Sequence, residues 1–288
     1  HVHGVSFAQP HAPASLLPTF RAPVPDAINI GMLHTSLAGA SRHDPYAPTS
    51  AADLAAHGFD YWALGHIHQR RVHQESPWIV MPGNPQGRDI NEGGAKGVTL
   101  ATVGEDGAIT CVERLVAVAV FERLSVDLSG VDDWADMLDR TEAVLARARE
   151  AALGAHLVAR LAMTGATSLA WRLRRDEDLL AAEVQNIAAS LGECWIEAVE
   201  LAVSAPLAAV DAGPVTELAR LMREDVVTTH AYREDLRETL ADMLRQLPKE
   251  ARSLLATDEA AEEALLSELS LEGSDTVLAR LGDDGERA

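Results

Sequence analysis

Residues 61–69 read YWALGHIHQ: an apolar run of strand length ends at a glycine, and two histidines one residue apart follow it. In an extended segment, residues i and i+2 point to the same side, so His66 and His68 are expected side by side at the exit of a strand. Gly65 allows the backbone to turn sharply just before them. Because imidazole is a common ligand of zinc, iron and manganese, this spacing predicts a metal site.

A third histidine follows a second apolar run of strand length. Residues 28–33 read INIGML, and His34 comes directly after them. In open sheets ligands gather at the carboxyl ends of the strands, so His34 is expected near His66 and His68. Taken singly, each histidine is better explained as a polar residue at a strand exit. The metal-site prediction therefore depends on the three histidines occurring together.

Charge and histidine are unevenly distributed along the 288 residues. Residues 1–121 hold 7 Lys and Arg, 10 Asp and Glu, and nine of the eleven histidines, whereas residues 122–288 hold 17 Lys and Arg and 34 Asp and Glu. Since nucleic-acid binding draws on Lys and Arg contacts to phosphate, the acidic second part disfavours a general DNA-binding surface. A DNA contact would be supplied by a partner or by local cations of the first part. Those cations are Arg70, Arg71, Arg88 and Lys96.

The first 120 residues alternate strand-like and helical segments. A further apolar run occupies residues 78–81, and a hairpin is expected around residues 104–107. Residues 49–57 are expected to form a helix that begins at Thr49 or Ser50, because both side chains can accept a hydrogen bond from the first turn. The alternation predicts an α/β fold.

From residue 121 the expected order is strand, helix, strand, helix, strand, which predicts a small sheet with helices on one face. The corresponding segments are 121–128, 131–152, 156–163, 176–191 and 194–203. Residues 213–269 then place apolar side chains at helical spacing, a pattern typical of a core or of a partner-binding face. The acidic, glycine-containing end of the chain is expected to fray.

Three stretches resemble the calcineurin-like metallophosphoesterases in order and spacing: LHTSLAG at 33–39, the GHIH-containing run at 46–72, and PWIVMPGNPQGRDINEGGAKGV at 77–98. Within that family the ALGHIHQ and PGNPQGR runs are similar to the DNA-repair exonucleases of the SbcD type, and in that branch to the bacterial YhaO group. The resemblance covers residues 1–210 and is strongest over residues 28–103.

The resemblance implies an α/β (α+β) fold made of the C-terminal half of a four-layer αββα sandwich, a small α+β capping domain and C-terminal helices. The implied boundaries place the metallophosphoesterase part at 1–120, the capping domain at 121–205, a helical partner-binding region at 206–270 and an acidic, disordered tail at 271–288.

The resemblance also assigns site residues. His34, His66 and His68 are expected to bind metal, with the two histidines of the Gly-His-x-His motif serving one ion each. Five residues of the following loop are candidates for supporting the metal ligands or orienting a phosphate: Asn84, Gln86, Arg88, Glu92 and Lys96. Roles in stabilising turns fit these five equally well.

The chain lacks the family's first three motifs, Asp-x-His, Gly-Asp-x-x-Asp and Gly-Asn-His-Asp/Glu, which supply the bridging carboxylate and the catalytic histidine. Residues 1–7 (HVHGVSF) alternate like a strand inside a domain, so we expect a further upstream region of about 130 residues, judged from usual domain sizes. The catalytic residues are therefore unknown from this sequence. Imidazoles without carboxylates bind a hard ion such as manganese poorly, so the 288-residue chain is expected to bind metal weakly and to be inactive.

The implied activity of the full protein is that of an enzyme: a metal-dependent DNA-repair exonuclease or phosphodiesterase. Two divalent ions, manganese first among the candidates, would lie about 3.5–4 Å apart and activate a water for in-line attack on phosphorus. Two other classes stay open, because shared site chemistry does not name a substrate. One is a non-catalytic cap and partner-binding module, and the other is a phosphoesterase acting on a small or nucleotide substrate.

The implied partners are DNA and a coiled-coil ATPase of the SbcC or YhaN kind, and a homodimer is left open. No run approaches the roughly 20 apolar residues that a membrane helix needs, so no membrane partner is expected. Two well-separated cysteines, Cys111 and Cys194, fit reduced thiols in a cytoplasmic protein.

Overall fold

The computed structural model describes residues 1–7, 9, 12–37, 46–204, 214–248, 252, 255 and 258–281. They divide into two compact units. The first unit contains residues 1–123, 147–160 and 193–197, and the second contains residues 124–146, 161–192 and the described residues from 198 onward. The fold is mixed α/β, as the sequence predicted.

The first unit is built on a five-stranded sheet with the strand order β1-β2-β3-β5-β4. Its strands are β1 (Val2–Gly4), β2 (Ile30–His34), β3 (Tyr61–Gly65), β4 (Arg71–Glu75) and β5 (Trp78–Met81). Strands β1, β2, β3 and β5 are parallel, and β4 pairs antiparallel with β5. Parallel strands end at the same edge, and the register places His34 opposite Gly65 at that edge.

Helix α1 (Ala51–Ala56) and the aromatic side chains near it form the core of this unit. Ser50, one of the two predicted caps, accepts a hydrogen bond from the Asp53 amide. Trp62 is fully buried, stacks on Phe59 with ring centroids 4.9 Å apart and donates its Nε1 hydrogen to the Leu54 carbonyl at 2.9 Å. The buried cluster comprises Phe20, Leu33, Leu37, Leu54, Phe59, Trp62, Leu64, Ile79 and Met81.

The predicted hairpin is present as β6 (Gly97–Val103) and β7 (Ile109–Leu115), paired antiparallel. Strand β4 was not predicted. Its sequence, RVHQE, contains a single apolar residue and therefore no apolar alternation. Its extended conformation depends on backbone pairing with β5, which is a tertiary contact that the local sequence pattern does not encode.

A three-stranded sheet in the order β10-β9-β8 follows the hairpin. Its strands are β8 (Ala119–Asp127), β9 (His156–Ala166) and β10 (Cys194–Ser204), and the intervening helices are α2 (Trp134–Ala151), α3 (Ala170–Arg175) and α4 (Glu177–Leu191). Apart from the short α3, this is the predicted element order. Helix α4 buries Leu180, Val184 and Ala188, a four-residue spacing that places the three side chains on one face.

The chain continues with α5 (Pro214–Leu221), a π-helical turn (Met222–Val226), α6 (His230–Gln246) and α7 (Glu259–Leu281). Residues 206–213 of the predicted partner-binding region lie outside the described residues. Within the described ranges, no helix has both the length and the apolar content needed to cross a bilayer. The domain boundaries stay predictions.

The expectation of a disordered tail is wrong for residues 271–281, because α7 continues through Leu281. Asp275 forms ion pairs with Arg174 at 3.3 Å and Arg223 at 2.6 Å, and Leu278 is fully buried. The ion pairs of Asp275 and the burial of Leu278 stabilise the helical conformation of this acidic segment. Residues 282–288 of the predicted tail lie outside the described residues.

Candidate functional site

The carboxyl ends of β2 and β3 bring His34 and His66 together. His34 Nε2 lies 3.2 Å from His66 Nδ1, and the two ring centroids are 5.1 Å apart. Gly65 makes room for this pair, since a Cβ added there would lie 3.1 Å from His34 Nδ1. Two of the three predicted metal-binding histidines are therefore adjacent in the fold.

Two aromatic residues pack around the histidine pair. Tyr46 stacks on His66 with ring centroids 5.3 Å apart and an interplanar angle of 9°, and it meets His34 edge-on at 5.4 Å. Phe7 contacts Tyr46 at 4.8 Å and His34 at 6.0 Å. Sequence reasoning missed both residues because their contacts with the histidines join positions that are distant along the chain.

His66 departs from strand geometry. Strand β3 ends at Gly65, and His66 has a φ of +108°, a value that residues with a Cβ rarely adopt. The expectation that His66 and His68 share one side of an extended segment is therefore wrong. His66 contacts His34, whereas His68 contacts Glu92. Backbone strain of this kind persists only where the surrounding structure enforces it, and it is concentrated at functional sites.

His68 belongs to a second group of side chains centred on the Glu92 carboxylate. Its Nδ1 lies 2.7 Å from Glu92 Oε1. Asn84 Nδ2 donates to Oε2 at 2.7 Å, and Arg88 donates to the same carboxylate from its Nε at 2.9 Å and its backbone amide at 3.1 Å. Hydrogen bonds from Arg88 first, and then from His68, hold the pKa of Glu92 well below its ordinary value. Glu92 is therefore ionised and joins three of the predicted site residues.

The Glu92 contact determines which nitrogen of His68 is available to a ligand. A carboxylate is an acceptor, so Nδ1 of His68 carries a hydrogen, and in the neutral imidazole Nε2 then has the lone pair. Metal-binding histidines commonly donate their second ring hydrogen to a carboxylate in this way. The sequence predicted separate roles for Glu92 and His68, whereas in the structure the two side chains form one hydrogen-bonded pair.

Gln86 has its hydrogen-bonding capacity filled by the backbone. Its Oε1 accepts from the amides of Val118 and Ala119 at 2.8 and 3.2 Å, and its Nε2 donates to the carbonyls of Gly87 and Ala119 at 2.8 Å each. A primary amide has two donor hydrogens and two acceptor lone pairs, so none remains for a phosphate. The contacts favour a structural role for Gln86 over the phosphate-orienting one.

The histidine pair fits part of a metal shell. Around a tetrahedral ion with metal–nitrogen bonds of about 2.0–2.1 Å, two ligand nitrogens lie about 3.3–3.4 Å apart. His34 Nε2 and His66 Nδ1 are 3.2 Å apart, which is also the distance of a hydrogen bond between the two rings. Among the residues that the structure describes, however, no group of three or more His, Cys, Asp or Glu side chains is placed to hold an ion. The metal-ligand roles of His34, His66 and His68 stay predictions.

Two comparisons with known proteins bear on this site. Residues 121–204 match a family model described as the middle domain of metallophosphoesterase YhaO. The uncharacterized metallophosphoesterase YhaO of Bacillus subtilis (strain 168) is 36% identical to the chain over 153 residues, which are 53% of this chain and 36% of that relative. The chain thus spans about a third of the length of the relative that it matches.

Proposed function

This chain is related to the YhaO-like metallophosphoesterases, as its motifs predicted, and on that premise we propose that it forms one side of a metal-dependent phosphodiesterase site. The observation that carries the proposal is the 3.2 Å approach of His34 Nε2 to His66 Nδ1 at the carboxyl edge of a parallel sheet. Because the chain spans about a third of its relative, the activity belongs to the whole protein.

In the proposed site, His34 and His66 bind a divalent ion through the two facing nitrogens, and His68 binds a second ion through Nε2. Manganese is the expected metal. Bound ions of this kind polarise a phosphate ester and supply hydroxide at neutral pH. Glu92 acts on His68, since its charge holds the ring hydrogen on Nδ1 and orients the imidazole.

For the substrate we propose DNA, cleaved from an end as in the DNA-repair exonucleases. The support is the sequence resemblance to the SbcD type and the location of the candidate cations, since Arg70, Arg88 and Lys96 lie in the same unit as the histidines. We further propose a cytoplasmic location and a coiled-coil ATPase as partner of the C-terminal helices. Leu218 and Met243 are 37% and 60% exposed there, which supports such a partner.

The test measures manganese-dependent hydrolysis by the protein as its gene encodes it, on a blunt DNA duplex and on bis(p-nitrophenyl) phosphate. His34→Ala, His66→Ala and His68→Ala are each expected to lower the rate by roughly 10²-fold or more, because loss of residues that merely support metal ligands already costs about 10–100-fold. His73→Ala is the matched control, since His73 lies in β4 away from the motif.

The outcomes separate the candidate functions. Hydrolysis of the small diester without cleavage of DNA would favour the phosphoesterase of small or nucleotide substrates. If neither substrate is hydrolysed while the C-terminal helices bind an ATPase partner, the non-catalytic module is the correct reading. Activity that survives all three histidine substitutions would refute the proposed site.

A further inference from the structure

A polar cavity in the first unit is lined in part by His68, the histidine that the proposed site assigns to the second ion. Its volume is about 200 Å³, and the side chains that matter for its chemistry are His68, Arg70, Asn84, Lys96 and Glu113. Two of these are cations and one is a carboxylate, in a chain whose overall charge is −20. The cations of the lining outnumber its carboxylate by one, which favours an anion.

Arg70 lines this cavity and forms an ion pair with Glu113, another residue of its lining. Its Nε is buried and has no hydrogen-bond partner among the described residues. Glu113 Oε1 lies 3.6 Å away, which is too far for a hydrogen bond. Because Arg70 Nε has almost no accessible surface, a ligand would meet other parts of the guanidinium, whose side chain is 27% exposed. The positive charge of that group is what favours an anionic ligand. Guanidinium groups match phosphate oxygens in both charge and geometry.

Asn84 lines the same cavity in a defined orientation. Its Nδ2 donates to Glu92 Oε2 at 2.7 Å, which settles which end of the amide is nitrogen. Its Oδ1 is buried and, within the described part of the chain, has no hydrogen-bond partner. This oxygen is an acceptor, so a bound anion would need to bring a hydroxyl or an ordered water with it. Both hydroxyls of a linking deoxyribose are esterified, so the donor that accompanies a DNA phosphate at Asn84 Oδ1 would be an ordered water.

The wall of the cavity is held by close backbone packing at Gly83. Gly83 has a φ of +76°, and a Cβ added there would lie 2.9 Å from both the His68 carbonyl oxygen and the Arg70 amide nitrogen. The Asn84 amide nitrogen also donates to the His68 carbonyl at 3.3 Å. The segment that carries Asn84 is therefore packed tightly against the segment that carries His68 and Arg70. This packing fixes the positions of the three lining side chains relative to one another.

We propose that this cavity binds a phosphate group of the substrate other than the one that is hydrolysed, through Arg70 and Lys96. The inference rests on the proposed function and narrows it: the preferred substrate carries at least two phosphodiester groups, as an oligonucleotide does, and a single small diester leaves the cavity empty. Arg70 and Lys96 act as binding residues, and the hydrolytic chemistry stays with the histidine site.

The experiment measures binding of a fluorescein-labelled hexathymidylate to the 288-residue chain by fluorescence anisotropy, in EDTA so that neither metal nor hydrolysis contributes. Arg70→Gln and Lys96→Gln are each expected to weaken binding about tenfold or more, the usual effect of losing a charge-assisted hydrogen bond. Each should also lower the slope of log K against log salt by about 0.7 for a single strand. Arg21→Gln is the control, since it removes the same charge from an exposed residue of the same unit that does not line the cavity.

A second pair of probes identifies the source of the phosphate. A hexamer with uncharged methylphosphonate linkages is expected to bind at least tenfold more weakly than the natural hexamer, because it lacks the charge that Arg70 and Lys96 recognise. Inorganic phosphate is expected to compete only at concentrations far above the oligonucleotide Kd. Competition at or below that Kd would make the free anion the ligand and overturn the substrate assignment.

Equal weakening by Arg70→Gln, Lys96→Gln and Arg21→Gln, or no weakening by the first two, would also overturn the proposal. If Arg70→Gln does not fold, Arg70→Lys and Lys96→Gln decide the question, with Arg70→Lys expected to retain the salt slope and lose part of the affinity. Because binding is measured without metal, failure of this inference can be told apart from failure of the proposed function. Binding that depends on Arg70 and Lys96 without any hydrolysis refutes only the proposed function. Hydrolysis without such binding refutes only this inference.

Discussion

His34 Nε2 lies 3.2 Å from His66 Nδ1, although 32 residues separate the two histidines along the chain. The contact follows from the parallel pairing of β2 and β3, whose register sets His34 opposite Gly65. The positive φ of His66 then turns its ring toward His34. Strand register and a backbone torsion therefore bring the two histidines together.

Gly65→Ala is expected to weaken zinc or manganese binding by about tenfold with little change in folding stability. The added Cβ would lie 3.1 Å from His34 Nδ1, so the imidazole must move by a few tenths of an ångström away from its position beside His66, and displaced ligand geometry typically costs 10–100-fold in metal affinity. Isothermal titration calorimetry measures the effect. Gly4→Ala is the control, since its added Cβ would have an ordinary contact of 3.8 Å with Met32. Equal affinities for the two variants would contradict the prediction.

Glu92→Gln is expected to shift the His68 ring hydrogen from Nδ1 toward Nε2 and to lower the thermal midpoint of the protein. The carboxylate accepts hydrogen bonds from His68, Asn84 and Arg88, and a neutral amide replaces one acceptor oxygen by a donor. Long-range proton–nitrogen NMR correlations of the imidazole report the tautomer directly. Glu75→Gln, an exposed substitution in β4, serves for comparison. An unchanged His68 tautomer would show that Glu92 does not position the ring.

Tyr61 is expected to ionise about two pH units above an ordinary tyrosine. Burial first, and then the nearby Cys111, raise the pKa of Tyr61 to about 12, with Arg70 acting in the opposite direction. Because the pKa is higher in the folded state than in the unfolded chain, the phenol contributes stability that is complete below about pH 10 and is lost as the pH rises to 12, on the order of 3 kcal/mol in all.

Alkaline titration of the phenolate absorbance should therefore show one of the three tyrosines near pH 12, and this transition should be missing in Tyr61→Phe. The free energy of unfolding of the parent protein should decline more steeply between pH 10 and 12 than that of Tyr61→Phe. Completion of all three ionisations near pH 10 would be inconsistent with the burial of Tyr61.

Asp275→Asn is expected to destabilise the C-terminal helix α7 by about 1–3 kcal/mol, the usual range for losing hydrogen bonds to a charged group. Asp275 is the common partner of Arg174 and Arg223, and its side chain is 16% exposed. Hydrogen exchange of the amides in residues 271–281 measures the local effect. Glu272→Gln lies in the same helix and is exposed, so it should leave exchange unchanged. Equal protection in both variants would argue that apolar burial alone holds this segment.

The sequence alone determined the elements whose signals are local. The apolar run before Gly65, the Ser50 cap, the hairpin at β6 and β7, and the strand–helix order after residue 121 all depend on periodicity, capping or turn residues within a few positions. For the same reason the relationship to YhaO-like proteins could be inferred from short motifs alone.

Tertiary structure decided what those residues touch. In the fold His66 contacts His34, whereas His68 contacts Glu92, 24 positions along the chain. The Gln86 side chain hydrogen-bonds to backbone amides 32 and 33 positions away. Strand β4 forms by pairing with β5, and the acidic residues 271–281 continue the C-terminal helix. These outcomes depend on sheet register, a positive φ and charge compensation between distant segments, and no local sequence pattern encodes such contacts.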